Sequence, residues 1–496
     1  MLTTCYGSRR KNTLQRRGVT LDADDALTAY LLLSRIVDGG RIDYEGASRL
    51  RDVIRAHLPD VSSHTRDDTM LVLPDMDIDV ATFLRLQLGM AGNKRDNNSL
   101  SGLHGLLSSG DVCIEQPSTR VLHRLYSAVV RGGGSGKGIP RDLDAAVDTD
   151  WSFDVMQLNC STDGHALSLL ATHLIRKCGA IAEFCLDEQK VSICMRAIES
   201  GYRVNPYHNS VHAACVLQHT HMFLNSMGIV NAYVRVVAYM AAIIHDYDHI
   251  GLTNAYLVNA GHTLAITHND TSPMENHSLH SVFRLMAADE NNFLAELPQQ
   301  TMRDFRRDVI ALVMATDMTR HLAYRSRFCA AHSAADNGRR DSMEPRMRDV
   351  QFALKCADLG HTFLPIDQHV RWVALLEQEY FLQGDLEKSR GMPITPLFDR
   401  SKPGITRSQM GFFEIVVLPT LSVFTRVYPK AAHVLTAAVA NAKHWWALHG
   451  DPVDENTSTR ISQLLLKLDD PRLLRQASPA GLFDIKATSL EERGVP

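Results

Sequence analysis

From residue 146 to about 450, apolar residues recur every three to four positions in one segment after another, and no sustained series alternates as strands require. "HALSLLATHLIRKCGAIAEF", "NSVHAACVLQHTHMFLNSM", "MRDFRRDVIALVMATDM" and "HVRWVALLEQEYFLQGD" all keep this beat. A chain patterned this way can bury its stripes only by packing helix against helix, so the fold expected is an all-α, multi-helix domain. With 496 residues, 45% of them hydrophobic, the core can be large.

The apolar pattern is broken at particular points. "VRVVAYMAAII" runs directly into "HDYDH" at 245 to 249, which adds two imidazoles and two carboxylates to the end of a buried helix. Burying such groups without partners is costly, so they satisfy one another or hold a cation. On helical geometry His249, four residues after His245, shares its face. His208 and His212 in "YHNSVHAACV" have the same spacing, which puts both on one face a turn apart; one can bind a metal while the other reaches a substrate. Asp358 in "ALKCADLGH" follows another small apolar run. His212, His245, Asp246 and Asp358 together make a mixed nitrogen and oxygen ligand set that suits zinc, and iron or manganese as well. "ENH" at 275 to 277 and "ATDM" at 315 to 318 add Glu275, His277 and Asp317 as holders of water or of a harder ion, and one shared aspartate plus waters would suit magnesium.

Domain signals bracket this region. A basic tail over 1–20 is expected to be disordered. "DALTAYLLLSRIVDGG" and "DYEGASRLRDVIRAHLP" predict a helical hairpin between 21 and 58, within an N-terminal region, 21–130, whose role the sequence leaves open, regulation being one candidate. "RGGGSGKGIPRD" marks a linker over 131–145; it is not a phosphate loop, because Arg131 stands where the first Gly belongs and Gly138 where Ser or Thr does. The catalytic-size domain is 146–450, and a polar tail, 451–496, follows. A net charge of -4 offers no general basic surface for nucleic acid or an anionic membrane. Nine scattered cysteines without a Cys-x-x-Cys pair read as free thiols of a reducing, cytoplasmic setting, and no uninterrupted apolar run reaches the roughly 20 residues of a membrane span.

The order "YHNSVHAACV", "HDYDHIG", "TN", "ENH", "ATDM", "CADLGH", "QGD", "SQMGF" resembles the class I 3',5'-cyclic nucleotide phosphodiesterases, from "WSFDVMQL" at 151 to about 445. The resemblance implies a compact helical HD-type domain with two metals at the bottom of a deep pocket. Zinc is then held by His212, His245, Asp246 and Asp358, and Asp246 also reaches magnesium or manganese, whose waters are held by His249, Glu275 and Thr316. It implies that a hydroxide between the metals attacks phosphorus, that His208 is the general acid, and that Glu275 orients it. Tyr207, Asn254 and His361 contact substrate, Gln409 recognises the purine, and Phe412 and Leu376 sandwich the base.

His361, "HVRW" and Leu376 look more like the calmodulin-stimulated, dual-specificity branch than the cAMP-selective one, where an Asn commonly stands in place of His361. Hydrolysis of both cAMP and cGMP is therefore expected. "HDYDHIG" departs from the frequent His-Pro-Gly ending through Ile250, which removes no ligand. "SRRKNTLQRRG" lacks the apolar spacing of a calmodulin-binding helix, so calmodulin control is not expected; the 21–58 hairpin would serve a homodimer or cover the pocket. Another HD-type nucleotide phosphohydrolase would use the same four ligands but leaves Gln409 and Phe412 without a role. A non-catalytic nucleotide-binding scaffold would not need ligands and acid together.

Overall fold

Two helices end and one begins at the polar runs of the sequence. In the computed structural model the described residues are 78–90, 143–332 and 347–448, and all regular structure among them is helical, as the periodicity predicts. The basic tail, the 21–58 hairpin, residues 131–142 of the linker and the C-terminal tail lie outside the described residues.

The Ser210–Met227 helix forms the centre of the domain, with an unbroken run from Val211 to Leu224 buried. It starts because the Asn209 side chain accepts from the backbone N–H groups of Val211 and His212, and it stops at Gly228, whose left-handed φ of 72° closes the last turn. Around it pack Ala166–Lys177, Ala232–Ile244 and Met347–Asp358. The Ala232–Ile244 helix is buried from Val236 to its end, and Asn231 caps its start through Val234 N–H. The Leu143–Thr149 helix is tied to this bundle: Asp148 bonds His221 of the central helix at 2.8 Å and Lys177 at 2.9 Å.

One helical run, Ile405–Val427, is long and apolar enough to span a bilayer, yet 78% of its window is buried inside the protein, so its hydrophobicity serves the core. Within it a wide turn at Phe413–Val417 separates Gln409–Phe412 from Leu418–Val427. Pro419 has no N–H for the carbonyl of Ile415 four residues before it, and the guanidinium of Arg325 reaches that carbonyl at 3.5 Å.

Residues 78–90 are also part of this body. Ile78–Gln87 is a helix whose Val80, Ala81, Phe83 and Leu84 are buried, and it packs against Gln409–Phe412 and the Met318–Arg320 turn.

Candidate metal centre and catalytic site

His212 lies in the first turn of its helix, His245 and Asp246 follow the last residue of theirs, and Asp358 is the final residue of Met347–Asp358. Three helix termini thus deliver four donors to one point. His212 Nε2 and His245 Nε2 are 3.3 Å apart; Asp358 Oδ1 is 3.2 Å from the first and 3.4 Å from the second; Asp246 Oδ2 is 3.5 Å and 3.0 Å from them. Four donors at zinc bond lengths of about 2.0–2.1 Å in a tetrahedron are roughly 3.3–3.4 Å from one another. His212, His245 and Asp358 therefore form a group that could hold one ion, and Asp246 stands beside both imidazoles.

His245 Nδ1–H donates to the Ala242 carbonyl at 3.0 Å, so in its neutral form the ring turns an Nε2 lone pair toward the other donors, and in its imidazolium form an Nε2–H. Burial alone would raise the Asp246 and Asp358 carboxyls, but His245 charge and its hydrogen bond pull Asp246 well below the usual range, and hydrogen bonds from His212 and His245 do the same for Asp358. The centre is built to hold positive charge.

His249 is not on the helical face of His245. The helix stops at Ile244, Asp248 takes a left-handed φ of 55° and Gly251 one of 71°, so His249 is delivered by a tight turn. Its Nδ1 accepts from Gly251 N–H at 3.0 Å and its ring stacks on His208 at 4.2 Å. Asp248, for which spacing suggests no role, fastens this turn by accepting from Arg203 at 2.6 Å and bonding His277 at 2.8 Å. Ile250, in place of the frequent Pro, packs on the small cluster of Leu252, Tyr256 and Leu257.

His208 likewise precedes its helix, which begins at Ser210, so the one-face argument for His208 and His212 does not hold; the two rings nevertheless meet at 5.9 Å. The carboxylate against His208 is Glu379, not Glu275. Glu379 Oε1 lies 2.5 Å from His208 Nδ1, while its Oε2 accepts from the backbone N–H groups of Tyr207 at 2.9 Å and His208 at 3.0 Å. Burial would lower the His208 pKa, but the Glu379 charge and hydrogen bond push it up to about 9. Glu275 instead accepts from Asn254 Nδ2 at 2.9 Å, and burial followed by the nearby Asp317 charge raises it to about 7. Asn254 is occupied there, its Oδ1 taking Met274 N–H, and does not line the pocket that contains His208 and Gln409. Thr316 spends its hydroxyl on the Val313 carbonyl, and its own carbonyl faces the Lys355 ammonium at 3.4 Å.

The pocket runs from Asp358 and His208 past Tyr207 and His361 to Leu376, Gln409 and Phe412. Gln409 Nε2 donates to the Ile405 carbonyl at 3.3 Å, and its buried Oε1 has no partner among the described residues. His361 has its tautomer set by a relay. Trp445 Nε1–H donates to His369 Nε2 at 2.9 Å, so the His369 proton sits on Nδ1 and is donated to His361 Nδ1 at 3.1 Å, which leaves His361 with an Nε2–H.

Residues 207–438 match the 3',5'-cyclic nucleotide phosphodiesterase family. This segment belongs to the class I cyclic nucleotide phosphodiesterases. The rat dual specificity calcium/calmodulin-dependent 3',5'-cyclic nucleotide phosphodiesterase 1B is 37% identical over 291 residues, 58% of this chain and 53% of that protein. The human 1C protein of the same description is 36% identical over 298 residues, 59% of this chain and 41% of its own. The chain spans about half the length of the curated relatives it matches. The phosphodiesterase domain of the RhoPDE fusion protein from Salpingoeca rosetta superposes with a TM-score of 0.55 at 27% identity, covering 61% of this chain and 96% of that one.

Within this phosphodiesterase domain the resemblance overlooks Glu379 and Asn205. Glu379 does carry a signal: it falls on the inward stripe of Ile366–Ser389 with Trp372, Leu375 and Gln383, where a carboxylate is out of place. Asn205, whose amide ties the carbonyls of His208 and His249 at 2.8 and 2.6 Å, carries none, since an Asn before a Pro reads as an ordinary turn.

Proposed function

We propose that this chain hydrolyses 3',5'-cyclic nucleotides, both cAMP and cGMP, to nucleoside 5'-monophosphates. The observation that carries the reading is the junction of three parts in one cleft: the four-donor centre, the His208–Glu379 pair beside it, and a pocket ending at Gln409 and Phe412. The names of the relatives, which describe dual-specificity enzymes, support it.

His212, His245, Asp246 and Asp358 would hold zinc, Asp246 would be shared with magnesium or manganese, and His249, Glu275 and Thr316 would hold waters of that second ion. When bound, such cations supply Lewis-acid activation of the attacking water and neutralise charge on the phosphate. Glu379 occupies His208 Nδ1–H, so the proton of Nε2 is the one aimed into the pocket. As the bond from phosphorus to the 3'-oxygen breaks, that proton goes to the leaving oxygen and yields a 3'-hydroxyl, while the 5'-ester is kept.

Phe412 and Leu376 take the two faces of the base. The unpaired Gln409 Oε1 accepts an N–H, which adenine offers at N6 and guanine at N1. His361 Nε2–H supplies a donor without favouring either purine.

The test is steady-state hydrolysis of both nucleotides by the full-length protein, stripped of metal and then reconstituted with zinc together with magnesium or manganese. Turnover of both is expected. A reconstituted protein inert toward either substrate sinks the reading.

A further inference from the structure

Lys355 is a buried cation to which the chemistry above gives no task. Its side chain is 2% exposed, and among the described residues it forms no ion pair with a carboxylate. Its ammonium instead donates to the Ala315 carbonyl at 2.8 Å and faces the Thr316 carbonyl at 3.4 Å, with the Tyr324 ring 6.0 Å away. Burying a charge away from a counter-ion is costly, so the carbonyls it holds are the place to look for its use.

Those carbonyls lie just beyond Gln299–Val313, where a helix leaves its last acceptors unpaired and its negative pole exposed. The same turn carries Thr316 and Asp317. Asp317 accepts from Thr319 N–H at 2.8 Å and from Ser272 Oγ at 2.6 Å. Ser272 in turn precedes Pro273–Met286, the helix whose first turn brings in Glu275. On its own helix Lys355 stands three residues before Asp358, on nearly the same face. One ammonium thus joins the helix that ends in Asp358 to the turn of Thr316 and, through Asp317 and Ser272, to the helix of Glu275.

Two effects of opposite sign follow from this placement. As a charge, Lys355 repels a cation bound nearby. As a donor, it holds the turn that faces that cation. Burial lowers Lys355 to about 8, while the charges of Asp358, Asp317 and Glu275 work against the fall, so the group is protonated at neutral pH. Geometry ranks the two effects: the carbonyls are in direct contact with the ammonium, and the carboxylates stand beyond ion-pair distance.

We propose that Lys355 is a positioning residue for the second divalent ion, clamping the 315–317 turn against the helix that ends in Asp358 so that Thr316 and Glu275 hold that ion's waters. The clamp rests on the phosphodiesterase reading, which supplies the two-ion site. Loss of a hydrogen-bonding partner in the shell around a metal site typically weakens metal affinity by about 10- to 100-fold.

The experiment titrates Mn2+ into zinc-loaded, full-length wild type, Lys355→Met and Lys355→Gln. Free Mn2+ is followed by electron paramagnetic resonance, and zinc content and steady-state kinetics are measured on the same samples. Met keeps most of the side chain and loses the donor, whereas Gln keeps a shorter, uncharged donor. In Lys355→Met the Mn2+ dissociation constant should rise about 10- to 100-fold at unchanged zinc content, with kcat returning toward wild type at saturating Mn2+. Lys355→Gln should fall between the two and carries the test if Lys355→Met does not fold. Unchanged Mn2+ binding overturns the clamp, and tighter binding overturns it by making Lys355 a repelling charge. Loss of zinc along with Mn2+, or failure of both variants to fold, also overturns it and makes Lys355 a support of the core. A wild type that binds both ions yet hydrolyses neither nucleotide overturns the enzyme reading and leaves the clamp to be judged by the Mn2+ titration. A wild type that binds no Mn2+ beside its zinc overturns the clamp directly.

Discussion

Replacing Glu379 by Gln isolates one quantity, the charge that the buried carboxylate places on His208. The amide oxygen can still accept the two backbone N–H groups of Tyr207 and His208, so the chain is held while the charge goes. Glu379 moves His208 from an ordinary 6.5 to about 9, which at about 1.4 kcal/mol per tenfold is roughly 3 kcal/mol in favour of imidazolium. Bound cations repel the imidazolium and bring the working value below 9. A general acid works protonated, so kcat should hold at neutral pH and fall as pH rises through the His208 pKa. In Glu379→Gln that limb should move to about 6.5 or lower, leaving about a tenth of the molecules protonated at pH 7.5. Loss of ring orientation adds to this, for a total fall in kcat of ~10²- to 10³-fold. The assay is the pH profile of kcat at matched metal content. A variant within three-fold of wild type, with its alkaline limb unmoved, would refute the pairing as the source of the acid.

Asp358→Ala should lose zinc and nearly all hydrolysis, because it removes the carboxylate grouped with both imidazoles; metal analysis showing full occupancy with normal activity contradicts the centre. His208→Ala should keep its metal and lose ~10²- to 10⁴-fold in turnover, so a collapse in metal content would make His208 a structural residue or a ligand. Gln409→Ala should raise KM about ten-fold or more for both nucleotides, and unchanged affinity counts against the base pocket. Trp445→Phe removes the donor that sets the His369 and His361 tautomers. Its KM should rise ~2- to 10-fold with kcat nearly constant, and an unaltered KM would detach the relay from recognition.

The parts legible in the sequence were those carried by chemistry that apolar surroundings make conspicuous. His212, His245, Asp246 and Asp358 stand out because imidazoles and carboxylates at the ends of buried runs need a partner; the donor atoms of His212, His245 and Asp358 lie within 4.8 Å of one another, with Asp246 beside both imidazoles. Helical spacing failed for His208 and His249, because both lie just outside a helix end and their positions are set by Asn209, Asp248 and Gly251. The resemblance sets Glu275 against His208 and does not point to Glu379, which is hidden in a long amphipathic helix and reaches His208 from 171 residues away. The packing of residues 78–90 on the pocket had no signal at all: ten amphipathic residues do not say which surface they will cover.

The wide turn at Phe413–Val417 also sets a phase. Each residue of an α-helix advances the direction of a side chain by about 100°, so a turn holding one residue more than the α count offsets what lies before it from what lies after. Leu418–Val427 is locked into the core through Leu418, Leu421 and Phe424, and Gln409 and Phe412 take their heading from it. Deleting a single apolar residue between 413 and 417 would preserve composition, charge and most of the core, yet swing both away from the pocket. The purine end of this cleft is thus recorded in a residue count as much as in the identities of Gln409 and Phe412.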